Sequence, residues 1–353
     1  MKICFLLPRF VISQSGGYKM VYEYANRLAR KGYEVSLLFL NENALLRYRI
    51  PEFAKKTIVN IITKRGPKWF KLDNSIKTIS TCESSYKNKI KDIDIVVFTA
   101  VETTEYKKYF PISKKLYLIQ DFENWRHDDD YVTKSFKMGF FNIVIAQWLK
   151  EIVDNYSEKP ATLIRNPIDT NTYHPIIAIE KRPQYCISVN YRSEDYKGFR
   201  YTYEAIAILK KNYPCLEVYA FGTERRPDWF PSYFYYTRYA TQKQTVDIYN
   251  KTSIFLCGSI EEGFGLTGLE AMACGTALVS TRYKGVYEYA LDGINALLSP
   301  VKNSKSLAQN VAMLIDNQNL RIAIAKAGVE SVADDFDWNK AIDKFEKVIH
   351  KEK

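Results

Sequence analysis

The most informative stretch of this sequence runs from residue 262 to residue 275 and reads EGFGLTGLEAMACG. The apolar run Ile254–Cys257 precedes it, which predicts a strand end, a loop and the start of a helix. Gly263 and Gly265 permit a tight turn and let backbone N–H groups approach a ligand closely. A helix N-terminus carries about half a positive charge and is a ready anion site. We therefore predict an anion site at the helix N-terminus, with Glu262, just before the turn, and Glu270, one to two turns into the helix, facing the same cleft; the alternative is a glycine-rich loop whose acids only cap the helix.

A second pattern supplies positive charge. Arg192 and Lys197 follow the predicted strand Tyr185–Val189 and are separated by four residues. Ligands of parallel sheets bind at the carboxyl ends of the strands, so both cations are expected to reach one anion there. A pair of basic residues on an ordinary surface is the alternative.

Taken together, the two patterns resemble the family-4 glycosyltransferases, which are retaining enzymes of the two-domain GT-B architecture. The resemblance rests on Glu-Gly-Phe-Gly-Leu…Glu-Ala-Met-Ala-x-Gly, with seven residues between the glutamates, and on Arg-x4-Lys-Gly at 192–198. It implies that Glu262 contacts hydroxyls of the donor sugar, that Glu270 binds the ribose, and that Arg192 and Lys197 neutralise the leaving diphosphate. It also implies that donor binding involves the loop and helix start formed by Gly263, Phe264, Gly265 and Leu266.

In the first half of the chain the resemblance is carried by Ser15-Gly16-Gly17, at the first strand–helix junction. It implies that Gly16 and Gly17 touch the donor diphosphate through their backbone. Gln120 stands where many relatives have a histidine. Rhamnosyltransferases of bacterial surface polysaccharides share a similar Gln-Asp-Phe/Tyr-Glu segment, so a deoxysugar donor such as dTDP-rhamnose is expected. A second departure is Lys284-Gly285, where a Gly-Gly pair is usual.

Strand and helix patterns alternate along the whole chain and start again after residue 183. They predict an α/β protein of GT-B type, with two Rossmann-like doubly wound domains facing a central cleft. The expected domains are 1–168 for the acceptor, 169–335 for the nucleotide-sugar, and 336–353 as a C-terminal helix that packs back on the first domain. In the first half, helices are predicted from about Tyr18 to Arg30 and around Trp148–Tyr156. The strands predicted there are Ile3–Leu7, Val35–Leu40, Val59–Ile62, Ile95–Phe98, Leu116–Ile119 and Asn142–Ala146.

Composition argues against a metal site. The six cysteines are far apart and the three histidines are too few for a histidine-built zinc site. Asp128-Asp129-Asp130 and Asp92-Ile93-Asp94 resemble the Asp-x-Asp metal motif of the other glycosyltransferase architecture. The first triplet suits a helix N-terminus and the second precedes a buried strand. We therefore expect no metal and no other cofactor, with the nucleotide-sugar as a substrate.

Charge is distributed unevenly along the chain. Residues 1–178 carry 28 Lys+Arg against 19 Asp+Glu, so +9, and the rest carries 23 against 21, so +2. One interpretation is that the first domain has an ordinary solvated basic surface. The other is that it faces an anionic partner, which would be either a membrane leaflet or a lipid-linked phosphate acceptor. Nucleic acid is not expected as a partner, because no recognised motif accompanies the charge. No run of 18 apolar residues exists, and the dispersed cysteines favour a cytoplasmic protein, at most peripheral on the inner face of a membrane.

These patterns predict a retaining, metal-independent transferase that moves a sugar from a nucleotide-sugar to a glycan or lipid-linked glycan acceptor. A non-catalytic GT-B module, serving as a glycan-binding or scaffold subunit of a polysaccharide assembly complex, is the alternative from another class. An epimerase or phosphorylase on the same architecture is a third.

Overall fold

The structure, a computed structural model, describes residues 1–42, 44, 49–125 and 127–351. Two compact units divide the chain. The first comprises Met1–Ile164 together with Ile342–Lys353, and the second comprises Arg165–Ala341. Each unit is built around one parallel sheet, which confirms the α/β fold class with two Rossmann-like domains.

The first unit holds a seven-stranded sheet in the order β3-β2-β1-β4-β5-β6-β7, with every pair parallel. Its central strands are continuous apolar runs, because helices cover both faces of such a sheet. The strands are β1 Lys2–Leu7, β2 Glu34–Phe39, β3 Lys77–Ser80, β4 Ile95–Phe98, β5 Lys114–Ile119, β6 Phe141–Val144 and β7 Thr162–Leu163. The helices are α1 Gly16–Arg30, α2 Glu52–Arg65, α3 Tyr86–Lys89, α4 Asp129–Phe136 and α5 Gln147–Asp154.

One predicted strand of this unit is wrong. Val59–Ile62 lies inside helix α2, and the strand that follows it is β3. The β-branched run suggested a buried strand, yet burial here has helical spacing: Val59 and Thr63 are buried, whereas Ile58 and Ile61 are exposed. The Asp128 triplet behaves as expected, since the Asp128 carboxylate accepts from Tyr131 N and caps α4.

The second unit holds a six-stranded parallel sheet in the order β10-β9-β8-β11-β12-β13. The strands are β8 Cys186–Tyr191, β9 Glu217–Gly222, β10 Phe234–Arg238, β11 Ile254–Cys257, β12 Ala277–Thr281 and β13 Ala296–Ser299. The helices are α6 Phe199–Asn212, α7 Gln242–Lys251, α8 Leu266–Ala273, α9 Ser304–Asp316 and α10 Gln318–Asp335. The loops after β8, β9 and β11 carry the side chains described below.

The last helix, α11 Trp338–His350, ends in the first unit. Its Phe345 is fully buried, with its ring centroid 4.9 Å from that of Tyr24 and 6.2 Å from that of Phe5. Lys114 of β5 donates from Nζ to the carbonyls of Val348 and Ile349, at 2.6 and 2.8 Å. A buried cation thus satisfies carbonyls that the helix end leaves without intrahelical donors.

Within the described residues, every helix is too short or too polar to cross a membrane. The same residues contain no group of three or more His, Cys, Asp or Glu side chains arranged to hold a metal ion.

Candidate functional site

An ion pair joins two of the predicted site residues in the second unit. Lys197 Nζ lies 2.8 Å from Glu262 Oε2, across 65 residues of sequence. The other carboxylate oxygen of Glu262 accepts from the Ser259 hydroxyl at 3.0 Å. The two side chains are only 22% and 19% exposed, so this pair is largely shielded from water. Both oxygens of Glu262 are therefore held in fixed positions at the start of the glycine-rich loop.

Backbone contacts bring the two loops together as closely as glycine allows. Ile260 N and Glu261 N both donate to Tyr196 O, at 2.8 and 3.1 Å. Gly198 adopts the left-handed conformation (φ +58°), and a Cβ there would lie 2.0 Å from Gly258 O. The Lys-Gly sequence at 197–198 thus combines a charged side chain with the residue that allows the loops to touch.

Glu262 keeps the Lys197 side chain positively charged. Burial alone would lower the pKa of the Lys197 ammonium, but the opposite charge and hydrogen bond of Glu262 outweigh burial and raise it. Lys197 is therefore cationic at neutral pH, and its ammonium group has three N–H donors, of which Glu262 needs one.

Arg192 forms ion pairs with residues other than Glu262. Its guanidinium donates to both carboxylate oxygens of Glu194, at 3.2 and 2.5 Å, and Nε lies 4.0 Å from Glu224 Oε1. Burial would lower the pKa of Arg192, but the bonds and charge of Glu194 raise it. The charge of Arg192 also acts on Lys197 and slightly opposes its protonation. The guanidinium of Arg192 is thus paired with Glu194 of its own loop and lies near Glu224 of the loop after β9.

Helix α8 begins at a rigid glycine turn. Gly265, its N-cap, has φ +88°, and a Cβ there would lie 2.1 Å from the Tyr283 hydroxyl. Tyr289 donates its hydroxyl hydrogen to Gly265 O at 2.8 Å, and its oxygen lies 2.7 Å from that of Tyr283. Gly263 and Phe264 are buried in this turn, and Leu266 is the first residue of the helix. The first N–H groups of any helix lack intrahelical partners, so this turn holds an anion-binding end in a fixed place.

Glu270 has a different environment from Glu262. It is buried on α8, and the Tyr249 hydroxyl of α7 lies 3.4 Å from its Oε2. The two glutamates of the motif are therefore positioned separately, one by a lysine and a serine in the loops, the other between two helices.

In the first unit, Gly16 and Gly17 open helix α1, directly after the extended Ser15. A Cβ on Gly17 would lie 3.4 Å from both Nε2 and Oε1 of Gln120, which follows β5. The structure thus brings together, at the carboxyl edge of the first sheet, the glycine pair and the residue that stands in place of the expected histidine.

Sequence analysis missed several residues of the second unit's site. Glu194 and Glu224, which hold Arg192, occur in loops after neighbouring strands, and that placement could have identified them. Tyr283 and Tyr289 carry no comparable pattern. Burial raises the pKa of both phenols well above the ordinary value, so they remain neutral hydrogen-bonding groups.

Comparison with known proteins gives one domain match and several partial relatives. Residues 169–331 match the family model described as glycosyl transferases group 1. An uncharacterised glycosyltransferase of Methanocaldococcus jannaschii is 35% identical over 92 residues, 26% of each chain. An N,N'-diacetylbacillosaminyl-diphospho-undecaprenol alpha-1,3-N-acetylgalactosaminyltransferase of Campylobacter jejuni is 33% identical over 81 residues, 23% of this chain and 22% of that protein. The chain thus aligns with about a quarter of the length of these curated relatives.

Solved structures match over nearly the whole chain, at low identity. Sucrose-phosphate synthase of Thermosynechococcus elongatus superposes with a TM-score of 0.78 at 14% identity, covering 99% of this chain and 98% of its own. Anabaena HepE in complex with UDP-glucose gives a TM-score of 0.76 at 14% identity, with 99% of each chain covered. Likeness at this identity concerns the fold. Residues 169–331 therefore match the glycosyl transferases group 1 family, in a chain that has the GT-B fold.

Proposed function

We propose that this chain transfers a sugar from a nucleotide-sugar donor to a glycan or lipid-linked glycan acceptor, with retention of configuration and without a metal ion. The observation that carries the proposal is the shielded Lys197–Glu262 pair, which lies between the loop after β8 and the glycine turn of α8. A sugar-diphosphate bound there would meet a cation, a fixed carboxylate and a helix N-terminus.

The chemistry follows from these groups. As the nucleoside diphosphate leaves the anomeric carbon, negative charge develops on the phosphate oxygen, and a cation about 4 Å away is worth roughly 4 kcal/mol at an effective dielectric near 20. Lys197, Arg192 and the N–H groups of α8 would supply this stabilisation. Glu262 would orient the sugar hydroxyls, and the acceptor hydroxyl would give its proton to the departing phosphate oxygen. No protein nucleophile is needed in this scheme.

For the donor, we propose a deoxysugar nucleotide such as dTDP-rhamnose. This proposal rests on the segment Gln120-Asp121-Phe122-Glu123, whose first residue lies next to Gly17. UDP-glucose is the competing donor, because HepE binds it in its solved structure. A thermal-shift panel of nucleotide-sugars separates the two, since a ligand at about 100 times its Kd stabilises the folded state by about 2.7 kcal/mol.

The decisive experiment measures sugar transfer by variants of the site with the donor found in the panel. Lys197→Ala, Arg192→Ala and Glu262→Ala are each expected to lower turnover by about 100-fold or more. Arg200→Ala is the matched control, because Arg200 is an exposed cation of α6 that pairs with Glu204. Wild-type turnover in all three site variants would refute the assignment. Absence of binding to any nucleotide-sugar in a calorimetric titration would instead favour the scaffold alternative.

A further inference from the structure

Helix α2 of the first unit presents apolar side chains outward. Its inner side buries Val59 and Thr63. On its outer side, Phe53 is 74% exposed, Ile61 46% and Ile58 40%. A solvated helix normally turns polar residues outward, so three large apolar side chains on one outer face are a departure from that pattern.

The same face is basic. Lys64 and Arg65 are exposed and follow Ile61 by three and four residues, which places them beside it on the helix surface. Between Glu52 and Asp73 the sequence contains no acid and six cations: Lys55, Lys56, Lys64, Arg65, Lys68 and Lys71. Glu52, the acid at the start of the helix, lies 3.8 Å from Lys55. The outer face therefore combines apolar area with positive charge.

This combination selects among possible partners. Nucleic acid would be attracted by the cations but would gain little from an exposed phenylalanine and two isoleucines. A protein partner would need a patch both apolar and acidic. The surface of an anionic bilayer offers both properties at once, acyl chains below and lipid phosphates above, and amphipathic helices with such faces lie in that interface.

We propose that Phe53, Ile58, Ile61, Lys64 and Arg65 form a docking face with which the first unit binds anionic phospholipid surfaces. The apolar side chains insert among the headgroups, and the two cations contact lipid phosphates. This proposal concerns binding and does not rest on the proposed sugar transfer, so each can fail without the other. With both correct, the docking face would hold the enzyme at the surface where a lipid-linked acceptor is found.

The test is sedimentation of the full chain with phosphatidylcholine vesicles, with and without about 30% phosphatidylglycerol. The wild type is expected to bind the phosphatidylglycerol vesicles and to be released by about 0.5 M salt. Phe53→Ser with Ile61→Ser is expected to weaken binding by about tenfold or more, because the inserted apolar area is lost. Lys64→Glu with Arg65→Glu should weaken it to a similar extent by removing and reversing charge.

Control variants carry substitutions of the same kind on the second unit. They are Ile294→Ser, where the isoleucine is 61% exposed, and Lys302→Glu with Lys305→Glu. Circular dichroism and nucleotide binding report whether each variant remains folded. Absence of wild-type binding to phosphatidylglycerol vesicles would overturn the proposal. So would undiminished binding by the Phe53/Ile61 variant, or equal losses in the controls, since the attraction would then be one of net charge.

Discussion

Two helix N-termini of this molecule, those of α8 and α1, were both predicted to meet the donor, and they are built differently. The α8 turn is closed: two tyrosine hydroxyls occupy the space beside Gly265, and the charges nearby are already paired as Lys197–Glu262 and Arg192–Glu194. The α1 turn is open: the nearest atoms to a Cβ on Gly17 belong to the Gln120 amide, at ordinary contact distance. A closed turn shows by its own packing why glycine is required. In the open turn, the surrounding protein atoms do not explain why glycine is required.

The largest effect is expected where the turn is closed. Gly265→Ala should lower the free energy of unfolding by about 3 kcal/mol or more, because strain at φ +88° adds to collision with Tyr283. Gly293→Ala is the matched control, since φ there is +76° with nothing within 4 Å of the added carbon, and about 1–2 kcal/mol is expected. Urea denaturation measures both. Equal losses would mean that the tyrosines move aside and that the turn is not rigid.

An intermediate effect tests the paired charges. Glu194→Gln removes the carboxylate that occupies Arg192, so the nucleoside diphosphate of the donor found in the thermal-shift panel is expected to bind about two- to fivefold more tightly. Glu204→Gln, which changes an acid paired with exposed Arg200, should leave that affinity unchanged. Isothermal titration calorimetry gives both constants. Weaker binding to the Glu194 variant would show that this carboxylate fixes the geometry of Arg192 rather than competing for it.

The smallest change in stability is expected where the turn is open. Gly17→Ala should alter the free energy of unfolding by no more than about 0.5 kcal/mol, because the new methyl meets only the Gln120 amide and alanine favours helix. If the α1 backbone does approach the donor diphosphate, the same methyl should nevertheless weaken donor binding measurably. A variant with both stability and donor affinity of the wild type would remove Gly17 from the site.

The same contrast explains what could be predicted from the sequence. The alternation of apolar runs predicted nine of the thirteen strands that the structure describes and the parallel order of both sheets, since those strands are buried on both faces. The Val59–Ile62 prediction was wrong because a run of β-branched residues resembles a buried strand when burial is unknown, although Ile61 faces outward from α2. The strands β3, β7, β10 and β13 were missed.

At the site, residue types and spacing indicated Lys197 and Glu262, whose contact spans 65 residues and follows from parallel strand ends. Spacing within the Arg-x4-Lys-Gly pattern did not indicate that Glu224 lies near Arg192, because Glu224 belongs to another loop and only its place after the neighbouring strand β9 points to it. Spacing also could not show that the Tyr289 hydroxyl donates to Gly265 O, because a contact made by tertiary packing leaves no local pattern in the sequence.

The return of α11 to the first unit has a consequence for how the chain acquires its structure. The first unit includes Phe345 and the carbonyls held by Lys114, so part of its interior is encoded after the second unit. The second unit is one continuous segment, Arg165–Ala341. During translation the second unit can complete its core before α11 is made, whereas the first unit lacks part of its interior until α11 follows.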